Sequence, residues 1–217
     1  MHVETAAWTR AALAAIDLPA GGRVLDIGSS TLHFRTVEQP HIEREVLAPL
    51  RARGMRVIHL DAKAAPGVDV VCDLDAAGPG LAARLGEHAL VLATGVLQYL
   101  RDPGRTMDLA VGTLVPGGYL VVHHPETARR SFDPVDHMLR MTPEALAGAF
   151  ERRGLERVRA ESVRIDDPRY YRGVLSRPSW IPVRGRWWLP LPGVSEQLRR
   201  RVRALRWRQS CVLMRRP

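Results

Sequence analysis

The chain has 217 residues, of which 46% are hydrophobic, enough to bury one sizeable core, so the sequence predicts one domain with an appendage. Its two cysteines, Cys72 and Cys211, lie in no CxxC or Cys/His cluster, which excludes a disulfide framework and a zinc site and favours a reducing compartment. The net charge of +9 resides in the last third, because residues 151–217 carry 18 basic and 6 acidic side chains whereas residues 1–150 carry 14 and 17.

The N-terminal 22 residues mix acidic and basic side chains into an apolar pattern. This mixture predicts an amphipathic helix and not a signal peptide. No apolar run approaches the ~20 residues that a membrane-spanning helix needs. We therefore expect a cytoplasmic protein.

Strands and helices alternate along the chain up to residue 154. Short apolar runs predict strands at 24–27, 55–61, 68–74, 88–95 and 119–125. Helical patterns predict helices at 40–54, 81–86, 102–115 and 142–154. Pro49 is expected to kink or shorten the first of these helices. Residues 155–165 and 209–216 alternate as two further strands, expected to be antiparallel. The order predicts an α/β fold with a doubly wound, Rossmann-like sheet, mostly parallel with an antiparallel C-terminal strand.

The first three predicted strands carry an aspartate near their carboxyl ends: Asp26, Asp61 and Asp73. In a doubly wound sheet, ligands bind outside these ends, at the point where the strand order reverses. Any one of the three alone is more often a helix cap or a turn residue. Together, at corresponding positions, they favour a ligand rich in hydroxyl and amine groups.

Residues 24–165 resemble the class I S-adenosylmethionine-dependent methyltransferases. The stretch "VLDIGSS" is similar to the first motif of that family, "VIHLD" to its second strand and "VVCDL" to its third. The most specific stretch is "ATGVLQYLRDPGRTMDLAVGTLVPGGYLVV", which resembles the fourth strand, the following helix entry and the turn before the fifth strand. "DHMLRMTPEALAGAFERRGL" resembles the segment that follows in many small-molecule and sugar methyltransferases. The resemblance implies the methyltransferase sheet described above and S-adenosylmethionine as the cofactor.

The resemblance also implies which residues bind that cofactor. An acid on the first strand would bind the ammonium of the methionine moiety, and the amides of the following turn would bind its carboxylate. An acid on the second strand would bind the ribose hydroxyls, and the end of the third strand would contact the adenine. The end of the fourth strand would lie beside the sulfonium. The corresponding residues are Asp26, Gly28, Ser29, Ser30, Asp61, Asp73, Leu74 and Thr94.

Ser29 and Ser30 stand where a glycine-rich turn is usual. A pyrophosphate needs glycines so that the backbone can approach it at a helix N-terminus. S-adenosylmethionine has no phosphate, and small hydroxyl side chains still allow close approach. Residues 31–39 lengthen the connection to the second strand and are expected to form an extended loop over the cofactor. The unusual turn leaves a non-catalytic methyltransferase fold as an alternative.

Histidines supply the candidates for a general base. His123 and His124 leave the fifth predicted strand, and His137 lies in "FDPVDH". Histidine titrates near neutral pH and could deprotonate a hydroxyl. We assign this role to His124 and His137. The alternative for His123 and His124 is that they face solvent at the end of the strand. No acidic cluster indicates a metal.

The sequence lacks two motifs of enzymes that methylate nucleic-acid bases, which narrows the range of possible methyl acceptors. No Asn/Asp-Pro-Pro-Tyr/Phe sequence follows the fourth strand, and neither cysteine is placed for covalent attack on a pyrimidine. The expected reaction is methyl transfer to a hydroxyl of a small molecule or glycan, with an amine as the alternative.

The basic C-terminal third divides the chain into a core of residues 1–165, a Trp-, Pro- and Arg-rich insertion or lid at 166–208, and a final core strand at 209–217. Residues 180–208 combine tryptophans with an arginine-rich amphipathic pattern, which is typical of a lid helix with solvated charges. The same pattern fits peripheral contact with an anionic membrane. RNA as a partner is disfavoured because no RNA-binding motif accompanies the charge.

Overall fold

In the computed structural model the chain forms a seven-stranded sheet with helices on both faces, and the structure describes residues 1–78, 80–126, 139–166 and 207–217. The strands are β1 (Arg23–Ile27), β2 (Arg56–Asp61), β3 (Val70–Val71), β4 (His88–Thr94), β5 (Leu114–Pro125), β6 (Glu156–Arg164) and β7 (Arg208–Arg215). The helices are α1 (Val3–Ala14), α2 (Pro40–Ile42), α3 (Ala48–Ala52), α4 (Leu81–Leu85), α5 (Pro103–Gly112) and α6 (Pro143–Glu151). Wider π-helical turns occupy Phe34–Glu38 and Glu43–Leu47, and a tighter 3-10 turn occupies Leu97–Tyr99.

The strand order is β3-β2-β1-β4-β5-β7-β6. β1 pairs in parallel with β2 and β4, β4 pairs in parallel with β5, and β7 runs antiparallel to both β5 and β6. The predicted fold class is therefore confirmed. The order reverses between β1 and β4, which is where this type of sheet places its ligand.

Each face of the sheet has its own apolar core. Helices α1 to α3 bury side chains such as Leu13 and Leu50 against one face, which we call the α1 face. Helices α4 to α6 bury side chains such as Leu85 and Phe150 against the other, the α5 face. Successive residues of a strand point to opposite faces, so the strand positions determine which polar groups reach which side.

Several predicted boundaries are wrong. Helix α5 ends at Gly112 rather than at residue 115, and β5 begins at Leu114. The Pro-Gly-Gly sequence predicted as a turn lies inside β5, where the register against β4 shifts and Gly117 has a φ of +76°, so it forms a β-bulge. The third strand is also much shorter than predicted, because β3 pairs with β2 only through Val70 and Val71.

Pro49 does not shorten its helix, which continues to Ala52. A proline ring clashes with the carbonyl four residues earlier, here that of Glu45. Glu45 lies within the π-helical turn Glu43–Leu47, whose wider backbone accommodates the ring.

The predicted insertion at 166–208 lies almost entirely outside the described residues. Within the described parts of the chain, none of the helices combines the length and apolar character that crossing a bilayer requires.

Candidate active site

A cavity of about 630 Å³ opens at the carboxyl ends of β1, β2 and β4. All eight residues predicted to bind the cofactor line it, and we call this set the cofactor rim: Asp26, Gly28, Ser29, Ser30, Asp61, Asp73, Leu74 and Thr94. They come from four different strands or the segments that follow them. The structure thus brings the predicted cofactor residues together around one space.

Asp26 is buried at the end of β1 and is held by a histidine from β2. His59 Nδ1 lies 3.0 Å from Asp26 Oδ2, and Arg51 Nη2 lies 3.4 Å from His59 Nε2. Because a guanidinium only donates, His59 accepts from Arg51 at Nε2 and donates to Asp26 at Nδ1. Asp26 also lines the cavity, so its second oxygen remains for a ligand. Sequence reasoning missed His59, although its position opposite Asp26 follows once β1 and β2 are paired.

The turn after β1 adopts a conformation that requires Gly28. Its φ is +72°, and a Cβ there would lie 2.7 Å from Val96 Cγ2. The Gly28 and Ser29 amides both donate to the Leu60 carbonyl, at 2.8 and 3.1 Å, and the Ser30 amide donates to Asp61 Oδ2 at 2.8 Å. All three amides have protein acceptors in this structure, and the assignment of the cofactor carboxylate to them stays a prediction.

Asp61 has one backbone donor on each carboxylate oxygen. Oδ2 accepts from the Ser30 amide, and Oδ1 accepts from the Lys63 amide at 3.0 Å. Each carboxylate oxygen has two lone pairs, so Asp61 keeps the capacity to accept two hydroxyl groups. The fixed carboxylate is suited to the adjacent hydroxyls of a ribose.

The remaining rim residues follow β3 and end β4. Asp73 Oδ1 accepts a hydrogen bond from the Asp75 amide at 3.0 Å, and the neighbouring Leu74 is largely buried. Thr94 is the last residue of β4 and lies directly opposite His123 of β5 in the parallel register. Thr94 and His123 therefore project to the same face of the sheet.

Residues 31–39 do not form the expected extended loop. The segment is mostly helical, including the π-helical turn Phe34–Glu38. One residue of it, Arg35, is 1% exposed and donates from Nη1 to the carbonyls of Ser29 and Ser30, at 3.0 and 2.6 Å. Its Nη2 donates to the Gly67 carbonyl at 2.8 Å. No local pattern in the sequence distinguishes this buried arginine from the many exposed ones.

The two histidines of β5 face opposite sides of the sheet. His124 is fully buried on the α5 face, where its Nε2 lies 3.1 Å from the Leu139 carbonyl oxygen, and it does not line the cavity. His123 lies on the α1 face and lines the cavity. His137 lies outside the described residues.

His123 is held in one tautomer by α1. Its Nε2 is 2.9 Å from Thr9 Oγ1, and the Thr9 hydroxyl donates its proton to the Thr5 carbonyl at 2.9 Å. His123 Nε2 must therefore donate to Thr9, which leaves the lone pair on Nδ1. Among the described residues Nδ1 has no hydrogen-bond partner. Burial lowers the pKa of His123 from its ordinary 6.5 to about 3, so the ring is neutral at neutral pH.

The inner part of the cavity is apolar. Part of its buried lining comes from α1, α2, the π-helical turn Glu43–Leu47, β4 and β5, and we call this set the buried wall: Thr5, Ile42, Val46, Leu47, Leu92 and His123. Two buried glutamines, Gln98 and Gln209, also line the cavity. The Thr5 hydroxyl already donates to the His2 carbonyl. The six residues of the buried wall therefore offer mainly apolar surface, and His123 Nδ1 is itself buried.

The reversed strand order, the acids at the strand ends and the cavity between them define a class I methyltransferase-like α/β protein. A family model described as a methyltransferase domain matches residues 2–160. The chain belongs to this family of S-adenosylmethionine-dependent methyltransferases. No curated protein sequence matches the chain.

Solved structures share the fold at low sequence identity. An S-adenosylmethionine-dependent methyltransferase from Archaeoglobus fulgidus aligns with a TM-score of 0.55 and 14% identity over 98% of this chain and 93% of that one. The 1,6-didemethyltoxoflavin-N1-methyltransferase of Burkholderia thailandensis was solved with 1,6-didemethyltoxoflavin and S-adenosylhomocysteine bound. It aligns with a TM-score of 0.54 and 14% identity over 99% of this chain and 77% of that one. The cyclase SpnF aligns with a TM-score of 0.57 and 15% identity over 92% of this chain and 76% of that one. Since a cyclase is among them, the fold alone does not specify the chemistry.

Proposed function

We propose that this protein transfers the methyl group of S-adenosylmethionine to a hydroxyl of a small, largely apolar molecule that binds against the buried wall. The observation that carries the proposal is the single cavity shared by the cofactor rim and the buried wall. One space of about 630 Å³ falls within the range of small-molecule sites, which supports the proposal that donor and acceptor bind side by side.

The cofactor rim supplies complementary groups for each part of S-adenosylmethionine. Asp26 accepts a hydrogen bond from the ammonium, and Asp61 accepts from the ribose hydroxyls. Asp73 and Leu74 contact the adenine, and Thr94 lies beside the sulfonium. The Ser30 hydroxyl, whose oxygen lies 3.4 Å from Lys63 Nζ, keeps its own proton and donates it to the carboxylate.

Methyl transfer from a sulfonium is an in-line displacement, in which the protein mainly aligns the nucleophile. The register places His123 beside Thr94, and thus beside the expected position of the methyl group. His123 is assigned a packing role in the wall, because its Nδ1 is buried in the described structure. Its pKa of about 3 also makes the ring a poor proton acceptor, so general-base catalysis is not its role.

An apolar acceptor is favoured over a carbohydrate by the wall itself. Ile42, Val46, Leu47 and Leu92 are each at most 8% exposed and offer no hydrogen-bonding side chains. A sugar bound there would leave most of its hydroxyls without partners, which costs about 1–3 kcal/mol for each group. Phenols and aliphatic alcohols avoid this cost.

The test uses S-adenosylmethionine with a tritiated methyl group and two sets of acceptors, one of phenols and apolar alcohols and one of monosaccharides. We expect label to appear in products of the first set. The Asp61→Ala variant, which lacks the carboxylate proposed to bind the ribose, gives the background level of label. Transfer confined to monosaccharides contradicts the apolar acceptor, and lack of binding of S-adenosylhomocysteine to the wild type contradicts the proposed function as a whole.

A further inference from the structure

Arg35 is a buried cation directly behind the serine-substituted turn. It is 1% exposed and does not line the cavity, whereas Ser29 and Ser30 do. Its Nη1 holds the carbonyls of both serines, so those carbonyl groups point to the arginine rather than into the cavity. Arg35 thus fixes the orientation of two successive peptide groups at the expected position of the cofactor's amino-acid end.

The arginine is itself held by a second turn. Its Nη2 donates to the Gly67 carbonyl, and the Leu32 amide donates to the Pro66 carbonyl at 2.9 Å. A Cβ at Gly67 would lie 2.8 Å from Arg35 Nη2 and 2.6 Å from Leu32 Cβ. The close approach at Gly67 therefore keeps the guanidinium under the turn.

The charge of Arg35 is not neutralised by an ion pair among the described residues. Its Nε also has no hydrogen-bond partner there. Isolated buried charges cost several kcal/mol unless a counter-charge or dipoles compensate them. Three carbonyl dipoles and the more distant charges of Asp26, Glu43 and Asp69 compensate part of this cost, and an anion bound on the other side of the turn would compensate more. The turn amides already donate to Leu60 and Asp61, so the charge of Arg35 would supplement them in attracting that anion.

We propose that Arg35 is a positioning residue for the amino-acid end of the cofactor, holding the Ser29–Ser30 peptide groups in place of the usual glycine-rich turn and adding a positive charge behind the site of the carboxylate. The inference rests on the proposed function, since it presupposes that S-adenosylmethionine binds at the cofactor rim. It explains how a turn with two serines, one of them at a φ of +57°, keeps a defined shape.

Binding of two ligands distinguishes this positioning role from a purely structural role of Arg35. S-adenosylhomocysteine has the amino-acid end, and 5′-methylthioadenosine has the same nucleoside but lacks that end. Isothermal titration calorimetry with both ligands measures the affinities of the wild type, Arg35→Met and Arg35→Lys. We expect Arg35→Met to weaken S-adenosylhomocysteine about tenfold or more, the value of a charged interaction, and to change 5′-methylthioadenosine less than about threefold. Arg35→Lys keeps the charge and is expected to fall between the wild type and Arg35→Met.

Arg23→Met is the matched control, because Arg23 Nη2 also donates to a main-chain carbonyl, that of Leu85, but does not line the cavity or touch the turn. It should leave both affinities unchanged. Equal losses for both ligands in Arg35→Met and Arg35→Lys, or no loss for either, overturn the proposal. If Arg35→Met does not fold, the ligand comparison in Arg35→Lys decides alone. A wild type that binds neither ligand instead overturns the proposed function.

Discussion

The cofactor rim and the buried wall enclose one cavity, but they hold their polar groups differently. At the rim, Asp26 and Asp61 are ionisable side chains that protein donors already orient. In the wall, His123 is neutral and its Nδ1 has no partner among the described residues. The rim is thus preorganised for a charged ligand of defined shape, whereas the wall selects its ligand mainly by apolar fit.

The largest expected effect comes from distorting the rim at Gly28. Gly28→Ala combines a left-handed backbone with a Cβ 2.7 Å from Val96 Cγ2, so we expect the free energy of unfolding to fall by about 3 kcal/mol. Urea titration measures the loss. Gly154→Ala is the control, because Gly154 has a similar φ of +85° and no neighbouring atom within 4 Å of the added Cβ. Equal losses in the two variants would show that the contact with Val96 is unimportant.

Removing the rim carboxylate of β2 should weaken the cofactor without unfolding the protein. Asp61→Ala is expected to lower the affinity for S-adenosylhomocysteine about 10- to 100-fold, since hydrogen bonds to a charged group are lost. Calorimetry gives the affinity, and thermal unfolding shows how much of the effect is structural. Asp102→Ala is the control, because Asp102 accepts a hydrogen bond from the Arg105 amide as the cap of α5 but does not line the cavity. Unchanged affinity in Asp61→Ala would refute the placement of the ribose.

The same contrast explains what the sequence could predict. Each rim residue lies within or just after an apolar strand, so a local pattern locates it, and the parallel order of the strands then brings the residues together. His123 and His124 are adjacent in the sequence, and only the register of β5 shows that the first faces α1 and the second faces α5. The choice between them depends on pairing that local patterns do not contain.

Arg35 and His59 were missed for a related reason. Each contacts a rim residue only after the chain has folded. Arg35 and Ser30 are 5 residues apart in the sequence, and His59 and Asp26 are 33 residues apart. The length of the segment at 31–39 is visible in the sequence and marks it as unusual. Its helical form accompanies the burial of Arg35 against the turn at Gly67, and composition reveals neither.

A pH titration sharpens the comparison on the side of the buried wall. The pKa of His123 is about 3 in the folded protein and 6.5 is its ordinary value, so the unfolded chain binds more protons between these limits. Stability should therefore fall as pH drops below 6.5, by about 1.4 kcal/mol per pH unit for one such group. His88, whose pKa burial lowers to about 4, contributes in the same direction. Urea titrations between pH 7 and 5 should show a shallower slope in His123→Leu.

The control for this titration is His33→Leu, because the side chain of His33 is 67% exposed. Its slope should match that of the wild type. A wild-type slope in His123→Leu would mean that His123 is protonated equally in the folded and unfolded chains, which contradicts its burial as a neutral ring.

The smallest expected effect comes from the partner of His123 on α1. Thr9→Val keeps the shape of the side chain but leaves His123 Nε2 without its acceptor, so we expect a loss of about 1 kcal/mol in stability. Nitrogen-15 NMR of the histidine rings should show the proton on Nε2 in the wild type and a mixture of tautomers in the variant. Thr113→Val is the control, because the Thr113 hydroxyl likewise donates to the carbonyl four residues earlier, that of Leu109, and this hydroxyl makes no hydrogen bond to a histidine ring in the described structure. An unchanged tautomer in Thr9→Val would show that something other than α1 keeps the proton on Nε2 of His123.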